Sequence, residues 1–491
     1  MSIWQDKTVA INFLRKDDSD LGFAISDGEN TYFYSSEANF ESLIEVANHV
    51  IAFNSFENSV KTKHNFKSLY YQVKPATKFQ TLSDIVKSEY FTGDPENYTY
   101  FCRPEGARQC CTEALFMREF YLKHYKNLNK SVLKLDNALL EFFTDWRPSI
   151  IVDQTKLRTE LSIIQKSQWD TERRIFKQIG YPVISLNQVD FDDRYEGIEK
   201  DFEIVQQCKQ KYDDLIPYLD LKSVNIEFDT TATATGRILC RDRKNNIGLF
   251  TPDKQYRDLF ISNGNMQFVS ADYIRQEANI LATVSEDEQL LEDLLDDNFY
   301  STLAQNSGMC SSKCSSKCSS KCSSKDVSKA VSKSSKAASK AASKAASKAT
   351  SKQLGKLLFY AIIYGMKAST LADQLGESIN NAELFIKRFK KMYSSLNHWL
   401  VKFDQKTNYF GRKLHKNTVN AYVQSTAADI IRDRLIATKQ CNPILVLADN
   451  IIYEVPADRE NYPIEVIEDL LNDTSPFNLK VKLEVSDTLK F

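Results

Sequence analysis

The sequence predicts a mixed helix-and-sheet protein, α/β in its α+β form, built of more than one domain. Three observations carry that prediction. Apolar runs near the N-terminus follow one another at strand length, two long stretches further on repeat at the helical period, and two distant apolar runs each stop at an aspartate. A chain of 491 residues with 42% hydrophobic content is long enough for two or three domains with real cores. No stretch approaches the roughly 18 uninterrupted apolar residues of a membrane span, and the N-terminus lacks a signal-peptide pattern. Four of the ten cysteines belong to a tandem repeat, Cys110 and Cys111 are adjacent, and the rest are scattered. That usage reads as reduced intracellular thiols rather than a disulfide framework. A formal net charge of −1 says little about polyanionic partners, because positive charge can be confined to one groove.

In chain order, KTVAINFLRK, DLGFAISDG and NTYFYSS read as three consecutive strands, followed by VIAFNSFENSV and a helix over GARQCCTEALFMREFYLKHY. DWRPSIIVDQTKLRTELSIIQ, with its Val152-Asp153 pair, opens the next region. Helical periodicity runs through 154–180 and again through 195–215. After the helix signal NFYSTLAQ comes a low-complexity tract, assigned to 308–350. From Cys310 to Lys352 it reads CSSK four times, then DVSKAVSKSSK and AASK units, with eleven lysines against one aspartate. Removing it leaves the remaining chain near −11. Its serines and lysines build no core, so disorder is the default, while the AASK half suits an N-terminal extension of the following helix. Repeat expansion explains cysteines 310, 314, 318 and 322 without a metal, and the lysines suit salt-dependent phosphate contact. Lys387, Arg388, Lys390 and Lys391 lie on a later helix, as a solvated face or a phosphate contact.

Two acidic segments carry the chemistry. Asp272-Tyr273 ends the run Gln267-Phe268-Val269-Ser270-Ala271, with Glu277 five residues after the aspartate. Asp449-Asn450 lies between Ile444-Leu445-Val446-Leu447 and Ile451-Ile452-Tyr453, as the turn of a hairpin. If the strands are neighbours, two carboxylates converge on a volume suited to magnesium, which takes one or two carboxylates, waters and phosphate oxygens. Between these segments Lys352, Lys356, Tyr360 and Tyr364 recur every four residues, on one helical stripe opposite Leu357, Leu358, Ile362 and Ile363. Cations for a triphosphate, followed by aromatic faces for a sugar and base, account for that stripe better than an ordinary amphipathic helix does.

At this point the chain resembles the family A DNA polymerases, the family of bacterial DNA polymerase I and many phage replicases. The resemblance is clearest from about Thr230 to the end, and its motifs fall in the family's order. TATATGRIL resembles T-x-T-G-R; NNIGLF with Tyr256-Arg257 and Phe260 resembles the next stretch; SADYIRQEANILA resembles D-Y-S-Q-I-E-x-R. KLLFYAIIYG resembles the fingers helix K-x-x-N-F-G-x-x-Y-G, NAYVQSTAADII resembles N-x-P-I-Q-G-T-A-A-D-I, and LADNIIYEV resembles V-H-D-E-I. There are departures. Lys352 stands for arginine, Tyr360 for phenylalanine (a change shared with some phage members), Asn279 for arginine, and Ala448 and Asn450 for histidine and glutamate.

The resemblance implies a ribonuclease H-like, exonuclease-type domain over 1–145 and a right-hand polymerase domain over 146–491. The thumb would lie at about 150–225, and an antiparallel palm sheet with helical fingers within about 226–491. It implies template-directed DNA synthesis on a primer–template with deoxynucleoside triphosphates, by a two-metal mechanism with magnesium, manganese being a substitute. Asp272, Asp449 and the Tyr273 backbone carbonyl would hold the metals; Lys356 would neutralise the leaving pyrophosphate and Lys352 the distal phosphates. Glu277 and Tyr360 would exclude the ribose 2′-hydroxyl, and Tyr364 would stack near the templating position. Arg237 and Gln424 would read minor-groove acceptors, with Asn420 and Arg257 as further DNA contacts. In the N-terminal domain Asn12, Leu14, Asn58 and Gly106 fall on the expected exonuclease carboxylates, so its chemistry is expected to be lost. No membrane partner is expected, and the setting is intracellular, the host cytoplasm if phage-encoded. The rivals are a polymerase-fold DNA-binding protein with a weakened site and, further off, a 3′–5′ exonuclease.

Overall fold

The computed structural model of the chain describes residues 4–16, 19–53, 64–73, 82–88, 98–99, 105–179, 198–242, 254–308, 351–458 and 464–489. These form two compact units. One holds Met1–Ile274, Ala428–Asp473 and Lys480–Phe491, and the other holds Arg275–Ala427 and Thr474–Leu479. The N-terminal sheet and the sheet bearing Asp272 share the first unit. A buried ion pair illustrates the packing within this unit: Arg432 Nη1 donates to Asp136 at 2.5 Å.

The first unit contains three sheets. Alternating apolar residues form β1 (Thr8–Lys16), β2 (Ser19–Ser26) and β3 (Thr31–Ser35), an antiparallel meander. Beside β1 lie β4 (His49–Ala52) and β5 (His64–Asn65), both parallel, and β6 (Tyr98–Thr99) pairs with β3. The order is β5-β4-β1-β2-β3-β6. Both faces are covered, as the period-two alternation requires: Val9 and Ile11 pack with Trp4, Phe23 and Val50, while Ala10 packs with Phe66, Tyr70 and Met117. Helix Ala107–His124 packs through Cys110, Cys111 and Ala114 against Ala24, Phe33 and Leu14. This sheet is compatible with the exonuclease-type domain predicted for 1–145.

The second sheet is antiparallel: β7 (Ser149–Val152), β8 (Ser223–Asp229), β9 (Leu239–Asp242) and β10 (Phe260–Ile261), in the order β10-β7-β8-β9. Between β7 and β8 stand the predicted long helices, Gln154–Ile179 and Ile198–Leu215. Ile175, Ile198, Phe202 and Val205 bury between them, and Arg174 pairs with Asp201 at 2.9 Å. The third sheet runs β12-β13-β11-β14, with β11 Met266–Tyr273, β12 Pro443–Leu447, β13 Asn450–Pro456 and β14 Val481–Ser486. All its pairings are antiparallel.

The second unit is helical: Gln276–Ser285, Glu288–Asp293, Phe299–Asn306, Ser351–Ile363, Ala368–Leu375, Ile379–Met392 and Ser394–Val401. Asp287 caps two of them, accepting from the Leu290 and Leu396 backbone N–H groups at 3.0 and 2.9 Å. Gly355 lets Ser351–Ile363 lie directly on Phe299–Asn306, since an added Cβ would stand 1.7 Å from the Tyr300 carbonyl oxygen. Phe359 meets Phe299 and Phe389 edge-on, both at 5.8 Å. The repeat from Cys310 to Thr350 lies outside the described residues, as do NNIGLF and Asn58.

Candidate functional site

Strand pairing, not chain proximity, brings the two aspartates together. In the β11–β13 register Asp272 stands opposite Asn450, the residue after Asp449, and the Tyr273 N–H donates to the Asp449 carbonyl at 3.2 Å. The β12–β13 hairpin turns through Ala448 and Asp449, with Ala448 in the left-handed region at φ 59°. Asp272 is exposed and Asp449 half-buried, so both can meet solvent or ligand at the end of an otherwise apolar sheet. Tyr273 is buried and its hydroxyl donates to the Leu471 carbonyl at 2.8 Å, which anchors the residue whose main chain follows Asp272. Burial raises that phenol above its ordinary range, so it stays protonated.

Asn450 replaces the glutamate of the motif it resembles, and its amide turns inward. Buried, it donates to Ser270 Oγ at 2.8 Å. Among the described residues no group of three or more His, Cys, Asp or Glu side chains gathers as a metal set. Two carboxylates with a backbone carbonyl are nevertheless a hard-oxygen donor set, the kind that magnesium completes with water and phosphate oxygens. On the other side of Asp272, Lys482 occupies the register position of β14 and pairs with Glu484 at 2.5 Å. The motifs did not single out Lys482, because only the β11–β14 pairing makes it a neighbour.

In the second unit the predicted stripe is real as a surface. Lys352 and Lys356 are exposed, Tyr360 and Tyr364 half-buried, and Leu357, Leu358, Ile362 and Ile363 buried. Tyr360 and Tyr364 stack with ring centroids 5.7 Å apart, and the Lys356 ammonium lies 5.9 Å from the Tyr360 ring centre. Glu277, in the first turn of Gln276–Ser285, accepts from the Tyr364 hydroxyl at 2.5 Å. Tyr300, which sequence reasoning missed, sets its hydroxyl 3.4 Å from that of Tyr360. Burial pushes the Tyr360 phenol well above its ordinary range, and Tyr300, Glu277 and Tyr364 push it further. It is therefore a neutral hydroxyl at working pH. Asn279, in the arginine position, donates back to the Arg275 carbonyl at 3.0 Å.

The remaining predicted residues lie on other elements of the two units. Arg237 sits in the loop after β8, its carbonyl accepting from the Thr233 hydroxyl at 2.9 Å, and Arg257 lies on the turn Lys254–Leu259. Asn420 is exposed and Gln424 half-buried on the helix Val419–Ala437. Asn420, Tyr364 and Gly365 help line a cavity of about 350 Å³ within the second unit. Of the four cations on Ile379–Met392, Arg388 is engaged internally, donating to the Ser307 carbonyl at 2.9 Å.

The fold defines the class: it is that of a polymerase domain. The structure of the "POL domain of Pol1 from M. smegmatis complex with DNA primer-template and dNTP" superposes with a TM-score of 0.71 at 14% identity, covering 99% of this chain and 96% of that one. Residues 185–414, just under half of the chain, match the model of DNA polymerase family A. The match includes Asp272 and the tyrosine helix and stops before Asp449. Among curated proteins it is similar to the thermostable DNA polymerase I of Thermus filiformis, 22% identical over 317 residues, 57% of this chain and 34% of that protein. It is also similar to DNA polymerase I of Caldicellulosiruptor bescii, 24% identical over 198 residues, 35% of this chain and 21% of that one. The chain thus spans about a third or less of the curated relatives it matches. Among the described residues no helix is long and apolar enough to cross a membrane.

Proposed function

We propose that the chain is a template-directed DNA polymerase that adds deoxynucleotides to a primer 3′-hydroxyl. The observation that carries the reading is the pair Asp272 and Asp449, joined at one sheet end by the β11–β13 register and the Tyr273-to-Asp449 hydrogen bond. Asp272, Asp449 and the Tyr273 carbonyl would hold two magnesium ions, with manganese as a substitute. Bound there, the metal ions supply Lewis acidity for the attacking hydroxyl and the transferring phosphoryl group. The protein's own part is positioning and electrostatics. Lys356 offsets charge on the leaving pyrophosphate, Lys352 holds the distal phosphates, and Glu277 with Tyr360 closes the space a ribose 2′-hydroxyl needs. Tyr364, fixed by its bond to Glu277, offers a ring face near the templating base. Arg237 and Gln424 contact minor-groove acceptors that every correct pair presents, with Asn420 and Arg257 on the strand.

The N-terminal domain over 1–145 is proposed to have lost exonuclease chemistry. Asn450, turned to Ser270 in place of a carboxylate, favours a second reading: a polymerase fold that binds DNA with weakened catalysis. One assay separates these. Pure protein with a labelled primer–template, magnesium and deoxynucleotides is expected to lengthen the primer; an unchanged primer supports the binding protein, and a shortened one the nuclease.

A further inference from the structure

The loop from Asp229 to Arg237 is held from outside by residues distant in the chain. Its first residue, Asp229, pairs with Lys67 of the helix Phe66–Val73 at 3.1 Å. One turn on, Tyr71 of that helix donates its hydroxyl to the Ala234 carbonyl at 2.6 Å. The guanidinium of Arg432 donates to the Gly236 carbonyl through Nε at 3.0 Å and Nη2 at 2.8 Å, and Nη2 also reaches the Thr230 carbonyl. Arg432 is 1% exposed, and its Nη1 donates to Asp136 at 2.5 Å. Asp136 in turn accepts from Ser68 and Gln72, both at 2.8 Å and both on Phe66–Val73. Four carbonyl or carboxylate groups within eight residues of loop are thereby fixed, and two of the three anchoring side chains, Lys67 and Tyr71, come from the N-terminal domain.

A half-buried loop whose carbonyls accept from a buried guanidinium and a buried phenol is held in place. We infer that the helix Phe66–Val73 and Arg432 are positioning elements for Arg237, so that the N-terminal domain serves synthesis as a mount for the primer-duplex contact. This rests on the reading of Arg237 as that contact. Lys67 and Tyr71 act through the loop and touch no DNA in this account. The arrangement also gives the domain a task that needs no carboxylate at Asn12, Leu14 or Gly106.

Tyr71→Phe keeps the buried ring and removes the hydroxyl that donates to Ala234; Lys67→Met tests the loop's other end, and Lys67→Arg restores the charge. The expected result is a primer–template KM raised roughly three- to tenfold by Tyr71→Phe and by Lys67→Met, with kcat nearly unchanged and Lys67→Arg close to wild type. In an Arg237→Ala background the same substitutions should change KM less than about twofold, because the two sites act as one. An unchanged KM in both single variants overturns the inference, even if they melt earlier. So does a full effect that survives Arg237→Ala. Anisotropy of a labelled primer–template gives the same comparison as Kd without turnover. A wild type that binds but never extends would sink the polymerase reading, while the mount is still judged on Kd.

Discussion

Asp272 and Asp449 each contribute one of the two carboxylates of the proposed metal site, and neither can be replaced by its amide without losing that charge. Extension by Asp272→Asn or Asp449→Asn is expected to fall by at least roughly a hundredfold, with duplex binding retained, since the proposed duplex contacts lie elsewhere. Normal extension by either variant would end the metal assignment. Tyr360 invites a different test. Its neutral hydroxyl lies 3.4 Å from that of Tyr300 at the surface of the lysine–tyrosine stripe. Such a hydroxyl can stand in for a missing sugar 3′-hydroxyl near the triphosphate, so dideoxynucleotides should be used nearly as well as normal ones. Tyr360→Phe removes one contact to a charged neighbour, and discrimination should return by roughly ten- to a hundredfold. Competition between labelled dideoxy- and deoxynucleotides measures it; identical behaviour of the two proteins would remove Tyr360 from the sugar.

Two elements have distinct physical requirements. The helix Ser351–Ile363 can approach Phe299–Asn306 only because residue 355 has no Cβ. Alanine there would gain about 1 kcal/mol of helix propensity. The overlap with the Tyr300 carbonyl forces the helices apart, so Gly355→Ala should destabilise by about 1–3 kcal/mol net in thermal unfolding. A stabilised variant would contradict the packing. The Lys67–Asp229 contact adds a pH dependence. Burial pushes the Asp229 carboxyl up, but the Lys67 charge and the Thr231 hydrogen bond outweigh it, leaving the group below the ordinary carboxylate range. A carboxyl lowered by folding contributes stability above its unfolded value, and that contribution is lost as pH falls through the folded one. The stability gap between wild type and Lys67→Met should be about 1 kcal/mol near neutrality and shrink below about pH 4. Chemical denaturation across pH 2.5–7, a window set by ordinary carboxylate values, reads it; a gap that widens in acid would refute the assignment.

At the scale of the whole molecule, the N-terminal domain keeps a sheet and a helix where hydrolysis would need clustered carboxylates. Asn12 donates to Glu113 at 2.8 Å, and Gln109 donates to the same carboxylate at 2.7 Å, so amides engage both Glu113 oxygens. Leu14 fills the space beside Gly106, its Cδ1 lying 3.0 Å from where a Cβ would be. An amide and an isobutyl group supply no negative charge, and a pair of metals needs several carboxylates. Pure protein should therefore show no magnesium-dependent 3′–5′ trimming of a mismatched primer. Trimming that persists through purification would mean that the domain retains a carboxylate set elsewhere.

What the sequence by itself determined is whatever local periodicity and motif order encode. The strands of the N-terminal meander, the two long helices and the single stripe of Lys352, Lys356, Tyr360 and Tyr364 were legible because alternation and a 3.6-residue repeat mark faces directly. The placement of Asp272 and Asp449 at strand ends was legible for the same reason. Tertiary structure alone decided which faces meet. No local signal says that Asn450 turns to Ser270, that Tyr364 bonds Glu277, or that Lys67, Tyr71 and Arg432 converge on Asp229–Gly236. Each joins residues dozens to hundreds of positions apart. Such contacts depend on strand register and helix packing, and a one-residue slip in either would send the same side chains elsewhere.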